Sequence, residues 1–530
     1  MKKIFTFKNL LLISFYIFIF SLFLKNSYSY LDPDFGWHLK FGQETLETKS
    51  VPHIEHVSFA LFGQRWVDHE WLLNVVVYLI YSKFGYLTLN LFFAIIPVVT
   101  FILLNNFLIK KHNLNTFHIF FLMLIELLAI FGILPHSGIR VQEINFLFLF
   151  LLLLILFKFD KNKNYKILFF VPPLMFLWSC LHGGFLVGFA VLFLFFCVKI
   201  LELILKKFTK FNFIEYSSKF YFKDFVMFAS VSIFSFLLTF LGPYGLELYS
   251  FLYQYRDTFY LMHVSEWLPV YYPTVMASKF FYLIITIAFL IFSIFYTRFK
   301  KINIFSFLLT LIFLVLSIKS KRHFPLLFIC SIYFIVDYLI LIFDEISIRA
   351  DNFIEKMHFL NKEAIIFIPL FLSVSIFASI YFMKDPFLYF KDSYPLEILD
   401  CIRDEKENNQ RIFSNYDWGG YMIWMIPEAK LFLDGRLPQY PFANGKSILQ
   451  EYNNFYLSDN TEELLDKYDI KMVFINNKID PIKFNWLERF LGYNENKIKP
   501  RKNNLRDYLD SSDKWRLLCE KDLGIVFVRK

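Results

Sequence analysis

The sequence predicts a polytopic α-helical membrane protein that carries a C-terminal extracytoplasmic α/β domain. Three observations predict it. The 530-residue chain is 57% hydrophobic, well above the share of a soluble domain. Apolar runs of about 20 residues, the length that crosses a bilayer, recur between residues 9 and 382. Beyond Lys384 the composition turns polar and mixed.

Taken in order, about eleven spans are expected, at 9–28, 86–109, 116–134, 141–158, 166–181, 184–205, 224–241, 279–297, 302–318, 324–343 and 363–382. Lys2 and Lys3 place the N-terminus inside. Alternation then puts Lys110-Lys111, Lys158 to Lys166, Lys206 to Lys223, Arg298 to Lys301 and Arg349 to Lys362 inside as well, as the positive-inside rule requires. The stretch Glu70 to Gly85 is apolar but too short to span. Counting it would invert every later loop, so it is read as an interfacial helix in a first outer loop of about 29–85.

The expected domains are therefore a bundle over 1–383 and a soluble domain over 384–530, which is long enough for its own core. Helix-like stretches run from Ser393 to Asn408 and Asn460 to Tyr468. Strand-like ones cover Lys430 to Leu433, Lys471 to Ile475 and Gly524 to Val528. The start, Met1-Lys2-Lys3 before an apolar run, reads as an uncleaved first helix because further spans follow.

Composition also excludes classes. The net charge of +9 comes without a basic stripe or nucleic-acid motif, so it fits loops that face anionic lipid rather than nucleic acid. The 73 Phe among many Ile, Lys and Asn are a compositional bias, not a cofactor box. Five scattered Cys form no CxxC, which argues against a metal cluster and leaves a Cys401–Cys519 disulfide open.

The outer face gathers the chemistry. Past the first span comes Asp32-Pro33-Asp34-Phe35-Gly36-Trp37-His38, then Arg65, Asp68, His69 and Glu70. Later outer loops bring His136, Arg140, Gln142 and Glu143, then His182-Gly183-Gly184, then Gly242-Pro243-Tyr244-Gly245 and Glu266-Trp267. Charged groups at that depth are expensive and usually functional. Lys319-Ser320-Lys321-Arg322-His323 is basic on the side where the topology rule disfavours it. Such a cluster suits an anion such as phosphate, although snorkelling toward headgroups is the plainer reading.

These residues resemble a family. A first span, an outer loop opening on an acidic pair, an interfacial helix and a bundle ending in an outer domain are the layout of the GT-C class of membrane glycosyltransferases. Asp32-Pro33-Asp34 with Trp37-His38-Leu39 is similar to the D-P-D-x-Y-Y-H-L opening of oligosaccharyltransferase catalytic subunits. The acidic pair also resembles that of protein O-mannosyltransferases and aminoarabinose transferases. The WVDHEWL, LHGGF, GPYG and NYDWGGY…DGR blocks resemble those of bacterial membrane proteins of the same layout. No WWDYG-like motif is present, which argues against Asn-linked transfer. Asp68-His69-Glu70 stands where the O-transferases carry Pro-Pro or Lys-Pro.

The resemblance implies a sugar donor on a polyprenyl phosphate, an extracytoplasmic acceptor and a bacterial cytoplasmic membrane. It implies a base for the acceptor hydroxyl and cations for the departing phosphate. Asp34 is the expected base and Asp32 its support; an exit turn is the alternative for this Asp-Pro-Asp. Arg322, Lys321 and Arg140 are the expected phosphate ligands. His38, His69, Glu70 and His182 are candidate substrate contacts, against helix capping for His69-Glu70 and a tight Gly-assisted turn for His182. Asp32 and His38, with Asp68, His69 and Glu70, also offer oxygen and imidazole ligands to a divalent Mg or Mn ion. Asn415 to Tyr421 and Asp434-Gly435-Arg436 read equally as acceptor-facing loops or as packing turns. A transporter or flippase for lipid-linked glycans, or a non-catalytic assembly protein, is the alternative function. It would need ionisable residues at midspan, where Glu126 and Asp337 are the main ones.

Overall fold

Long apolar runs demand helices, because a backbone without water must satisfy its own hydrogen bonds. The computed structural model describes residues 6–208, 214–215, 220–297, 300–349, 362–381, 394–404, 411–442, 445–477, 483–495, 503–521 and 523–530. Lys2, Lys3 and the linker 350–361, on which the inside-positive reading partly rests, lie outside the described residues.

The chain divides into two compact units. The first comprises Met1–Tyr28, Asn90–Gly242 and Pro269–Lys384. The second comprises Ser29–Leu89, Pro243–Leu268 and Asp385–Lys530. The C-terminal segment thus shares a unit with the loop that holds the acidic pair.

The first unit is a helical bundle. Its helices include α1 (Phe7–Ser29) and those at Thr116–Ile133, Ile144–Asn162, Val171–Leu181, Phe185–Phe208, Phe222–Thr239, Ala277–Phe295, Ile304–Lys319 and Phe324–Arg349. Many outward side chains are large and apolar, among them Phe193, Leu241, Phe295 and Phe371. In water such a surface would aggregate; against lipid tails it is the expected one.

Among the described residues, eight helices rather than eleven are long and apolar enough to cross a membrane. The expected spans at 166–181, 302–318 and 363–382 fall on shorter apolar helices, Tyr165–Leu181, Ile304–Lys319 and Ile366–Tyr381. At about 1.5 Å per residue the first two fall short of a hydrocarbon core of about 30 Å, whereas the third belongs to a 20-residue helix, Lys362–Tyr381.

Helix α3 (Trp71–His112) runs through the expected interfacial stretch and the span that follows it. Its dihedrals break at Gly85, with φ 78° and ψ 179°. That backbone conformation is essentially open to glycine alone. Two helices therefore meet at Gly85, where the sequence divides the interfacial stretch from the span.

The second unit is built on a five-stranded mixed sheet of order β2-β1-β3-β5-β4. The strands are β1 (Arg411–Ser414), β2 (Lys430–Leu431), β3 (Met472–Asn476), β4 (Trp515–Glu520) and β5 (Gly524–Arg529). β1 runs parallel to β2 and β3, whereas β5 is antiparallel to β3 and β4. The first-loop segment 57–59 extends this sheet beside β2. Phe59 N donates to Leu431 O (2.9 Å), Leu431 N to Val57 O (3.2 Å) and Ser58 Oγ to Phe432 O (2.8 Å). Strand hydrogen bonds thus tie the loop after the first span to a segment nearly four hundred residues further on.

Candidate functional site

In the second unit, Asp34 occupies the N-cap position of α2 (Phe35–Thr48) without capping it through its side chain. Its carboxylate is left for another use. Asp32 Oδ1 instead accepts from Asp34 N (2.9 Å), which fixes the exit turn. Asp34 keeps part of its surface open to solvent while neighbouring atoms crowd around it. Burial first, and the charge of Asp32 next, push its carboxyl from 3.8 up to about 8. The Trp37 indole N–H lowers it, and Glu70 and Glu266 raise it by smaller amounts.

Glycines bring this turn against the C-terminal segment. A Cβ on Gly36 would lie 2.0 Å from Gly420 O, and one on Gly420 would lie 2.1 Å from Pro33 O. A Cβ on Gly435 would lie 2.2 Å from Asp34 Oδ1. α2 therefore rests on the helix Gly419–Met425, and the Asp434-Gly435-Arg436 turn abuts the Asp34 carboxylate. The acidic pair, the NYDWGGY block and the DGR turn form one constellation.

Arg436 is consumed by structure. It is buried between the rings of Phe41 (4.4 Å) and Trp66 (4.6 Å). Its Nε donates to Asp434 Oδ1 (2.8 Å), and an ion pair joins it to Glu55 at 2.9 Å. Burial alone would lower its pKa, but Asp434 and Glu55 outweigh that and hold it above its ordinary value. For Arg436, of the two readings of this loop, packing is the one these contacts describe.

His38 is buried and meets Asn74. Its Nδ1 lies 2.6 Å from Asn74 Oδ1, while Asn74 Nδ2 donates to Asp68 Oδ1 and Oδ2, both at 2.9 Å. Because the amide N–H₂ is spent on a carboxylate, the amide oxygen faces the imidazole, which assigns the proton to Nδ1. Burial lowers the His38 pKa, so the ring is neutral with its lone pair on Nε2. Burial also pushes Asp68 up to about 6. α2 and the start of α3 are close enough for this because a Cβ on Gly42 would lie only 2.1 Å from Asn74 O. His69 Nε2 pairs with Glu70 Oε1 at 3.3 Å, and its ring lies beside Phe251 and Tyr255.

A divalent ion does not find a ready set of ligands here. Among the described residues no three His, Cys, Asp or Glu side chains gather as ligands. His38 Nδ1 is committed to Asn74. The residues as arranged do not fit the expected Mg or Mn ion, and no step is routed through one.

The other expected site residues belong to the first unit. Lys321 is buried, with Nζ donating to Pro273 O (2.7 Å) and Thr274 Oγ1 (2.8 Å). Arg322, in the same single turn of 3-10 helix, stays half-buried. Arg140 is buried beside Glu143, whose Oε1 accepts from Gly138 N (2.8 Å). His182 Nδ1 accepts from Gly184 N (2.8 Å) and lies 3.1 Å from Asn145 Nδ2. Trp178 Nε1 donates to Asn145 Oδ1 (2.7 Å). A Cβ on Gly184 would meet that oxygen at 2.2 Å, so the LHGGF block forms a tight polar turn.

Asn74 escaped the sequence reading, although an amide inside the apolar LLNVVV run was its signal. The contact between Gly435 and Asp34 had no local signal.

The chain is similar in fold to solved oligosaccharyltransferase structures. The similar solved structures include the archaeal oligosaccharyltransferase AglB from Archaeoglobus fulgidus, in complex with an inhibitory peptide and a dolichol-phosphate. The two share 11% identity with a TM-score of 0.50 over 89% of this chain and 70% of that one. The apo form of the Archaeoglobus fulgidus oligosaccharyltransferase aligns at 12% identity and a TM-score of 0.49, over 90% of this chain and 70% of that one. No protein-family model and no curated protein matches the sequence. The likeness is one of fold.

Proposed function

We propose that the protein is a membrane glycosyltransferase that moves a sugar from a polyprenyl-phosphate-linked donor to an acceptor outside a bacterial cytoplasmic membrane. The observation that supports this best is Asp34: a partly open carboxyl beside Asp32, with its pKa pushed up to about 8. A general base works best when its pKa lies near the working pH.

In this reading ionised Asp34 accepts the proton of an acceptor hydroxyl as that oxygen attacks the anomeric carbon. The bond from that carbon to phosphate breaks, and the polyprenyl phosphate departs as an anion. Arg322 and Arg140 neutralise the departing phosphate. Lys321, held by Pro273 and Thr274, braces the turn that carries Arg322. Asp32 orients the Asp34 backbone. His38, His69 and Glu70 contact the acceptor, and His182 supports the donor side.

The N-terminus lies inside and residues 384–530 lie outside in this proposal, as the basic loops require. The test is transfer of label from radiolabelled polyprenyl-phosphate sugars by membranes that carry wild type or Asp34→Asn. Transfer by wild type and its loss in the variant at equal protein level supports the assignment. Equal transfer by both removes Asp34 from it.

A further inference from the structure

The NYDWGGY and DGR blocks contribute three glycines, and the turn after the acidic pair a fourth, Gly36, whose missing side chains are each accounted for by neighbouring atoms. Gly36 leaves room for the Gly420 backbone, because a Cβ on Gly36 would lie 2.0 Å from Gly420 O. Gly420 also leaves room for Pro33 O, and Trp37 Cδ1 lies 3.1 Å from where its Cβ would sit. Gly419 makes room for Asp434, whose Cβ would lie 2.7 Å from an added methyl. Gly435 makes room for the Asp34 carboxylate itself, at 2.2 Å.

Gly36, Gly419, Gly420 and Gly435 all lack the positive φ that demands glycine for backbone reasons. Space is what requires them. The loop behind Gly435 is rigid, since Asp434 accepts from Arg436 N (3.0 Å) and Nε (2.8 Å), and Arg436 is clamped to Glu55.

We infer that Gly435 and Gly420 are positioning residues that set where the Asp34 carboxylate stands. Gly420 fixes the backbone on either side of Asp34 through Pro33 and Gly36, and Gly435 is the wall against which the carboxylate rests. This gives the C-terminal segment a role in building the reaction centre rather than only in covering it. The inference rests on Asp34 as the base for its catalytic meaning, but not for its geometry.

The experiment is a double-mutant cycle on the purified full-length protein, read by melting temperature and by transfer. Gly435→Ala lowers the melting temperature, and Asp34→Ala in the same chain restores part of the loss, because the clash has lost its second partner. In the transfer assay Gly435→Ala lowers kcat roughly 10- to 100-fold, as a displaced base does. The pH at half-maximal rate moves while the donor KM holds, a split that general loosening of the fold would not produce.

Melting effects that simply add would overturn the inference. So would a Gly435→Ala enzyme with wild-type kcat and pH profile. If wild type transfers no sugar from any polyprenyl-phosphate donor, the glycosyltransferase reading fails while the melting cycle still decides the contact. If Gly435→Ala does not accumulate, recovery of expression by Asp34→Ala supports the contact, and failure to recover overturns it.

Discussion

His38 and Asn74 face each other across 2.6 Å, and Asn74 passes the connection on to Asp68 through its amide. All three side chains are buried. Replacing Asn74 with Leu leaves the imidazole N–H without this partner and the Asp68 carboxylate without its amide donor, with Glu70 N still donating to Oδ1 (3.2 Å). The expected cost is about 1–3 kcal/mol for each unsatisfied group, read as a lower melting temperature. Asn74→Asp puts a second carboxylate against Asp68 and raises the pKa of one of the pair. Its melting temperature is therefore expected to fall more steeply with rising pH than that of wild type.

Asp34 makes a pH prediction with a definite sign. Its pKa is raised from 3.8 to about 8 in the folded protein. A folded-state value above the unfolded one adds stability that is fully present below pH 3.8 and is lost as the pH rises through about 8. Asp34→Asn removes that dependence, so its melting temperature is expected to stay flatter from pH 5 to 9. Activity runs the opposite way, because only the ionised carboxyl accepts a proton. The transfer rate is expected to rise with pH and level off above about 8.

Arg436 tests what holds the second unit together. Its guanidinium is buried with Asp434 and Glu55 and stacked between Phe41 and Trp66. Arg436→Ala strands two buried carboxylates, which costs about 3–5 kcal/mol. Arg436→Lys keeps the charge but not the planar fork and recovers only part of this. Limited proteolysis of residues 384–530 in detergent is expected to accelerate in the order wild type, Lys, Ala.

Hydropathy made the bundle legible because helices in lipid are specified locally, by runs of apolar residues. The break at Gly85 was legible for the same reason, since the interfacial stretch ends on that glycine. β3 and β5 were legible as short apolar β-branched runs. β1 and β4 were not, because Arg411–Ser414 is only four residues long and Trp515–Glu520 turns mostly polar or half-exposed side chains outward. The count of eleven spans is not confirmed among the described residues, where three of the apolar runs fall on shorter apolar helices. For the site, Asp32 and Asp34 stood out as charges beside an apolar run. The closure of Gly420 and Gly435 on Asp34 is a contact across nearly four hundred residues, and nothing in either block announces its partner. Lys321 and Arg322 are adjacent and look equivalent in sequence. In the structure Lys321 is buried against the backbone carbonyl of Pro273 and the hydroxyl of Thr274, whereas Arg322 is half-buried.

That separation is itself a prediction. Lys321 is buried and spends its ammonium on the 273–274 turn, whereas Arg322 remains half-buried one residue later. Lys321→Met abandons a carbonyl and a hydroxyl that its ammonium satisfied, so it is expected to lower the melting temperature and, through the turn, to affect transfer. Arg322→Gln removes the charge while keeping a polar side chain at a half-buried position, so its melting temperature is expected to fall less than that of Lys321→Met. If Arg322 holds the donor phosphate, the variant loses one charge-assisted contact, about 1.5–3 kcal/mol. That is a rise of roughly tenfold or more in donor KM or an equal fall in kcat/KM. The loss is expected to shrink as ionic strength rises, because wild type forfeits the same attraction to screening. A variant with normal stability and unchanged donor kinetics at low salt would take Arg322 out of phosphate binding and leave Arg140 to carry it.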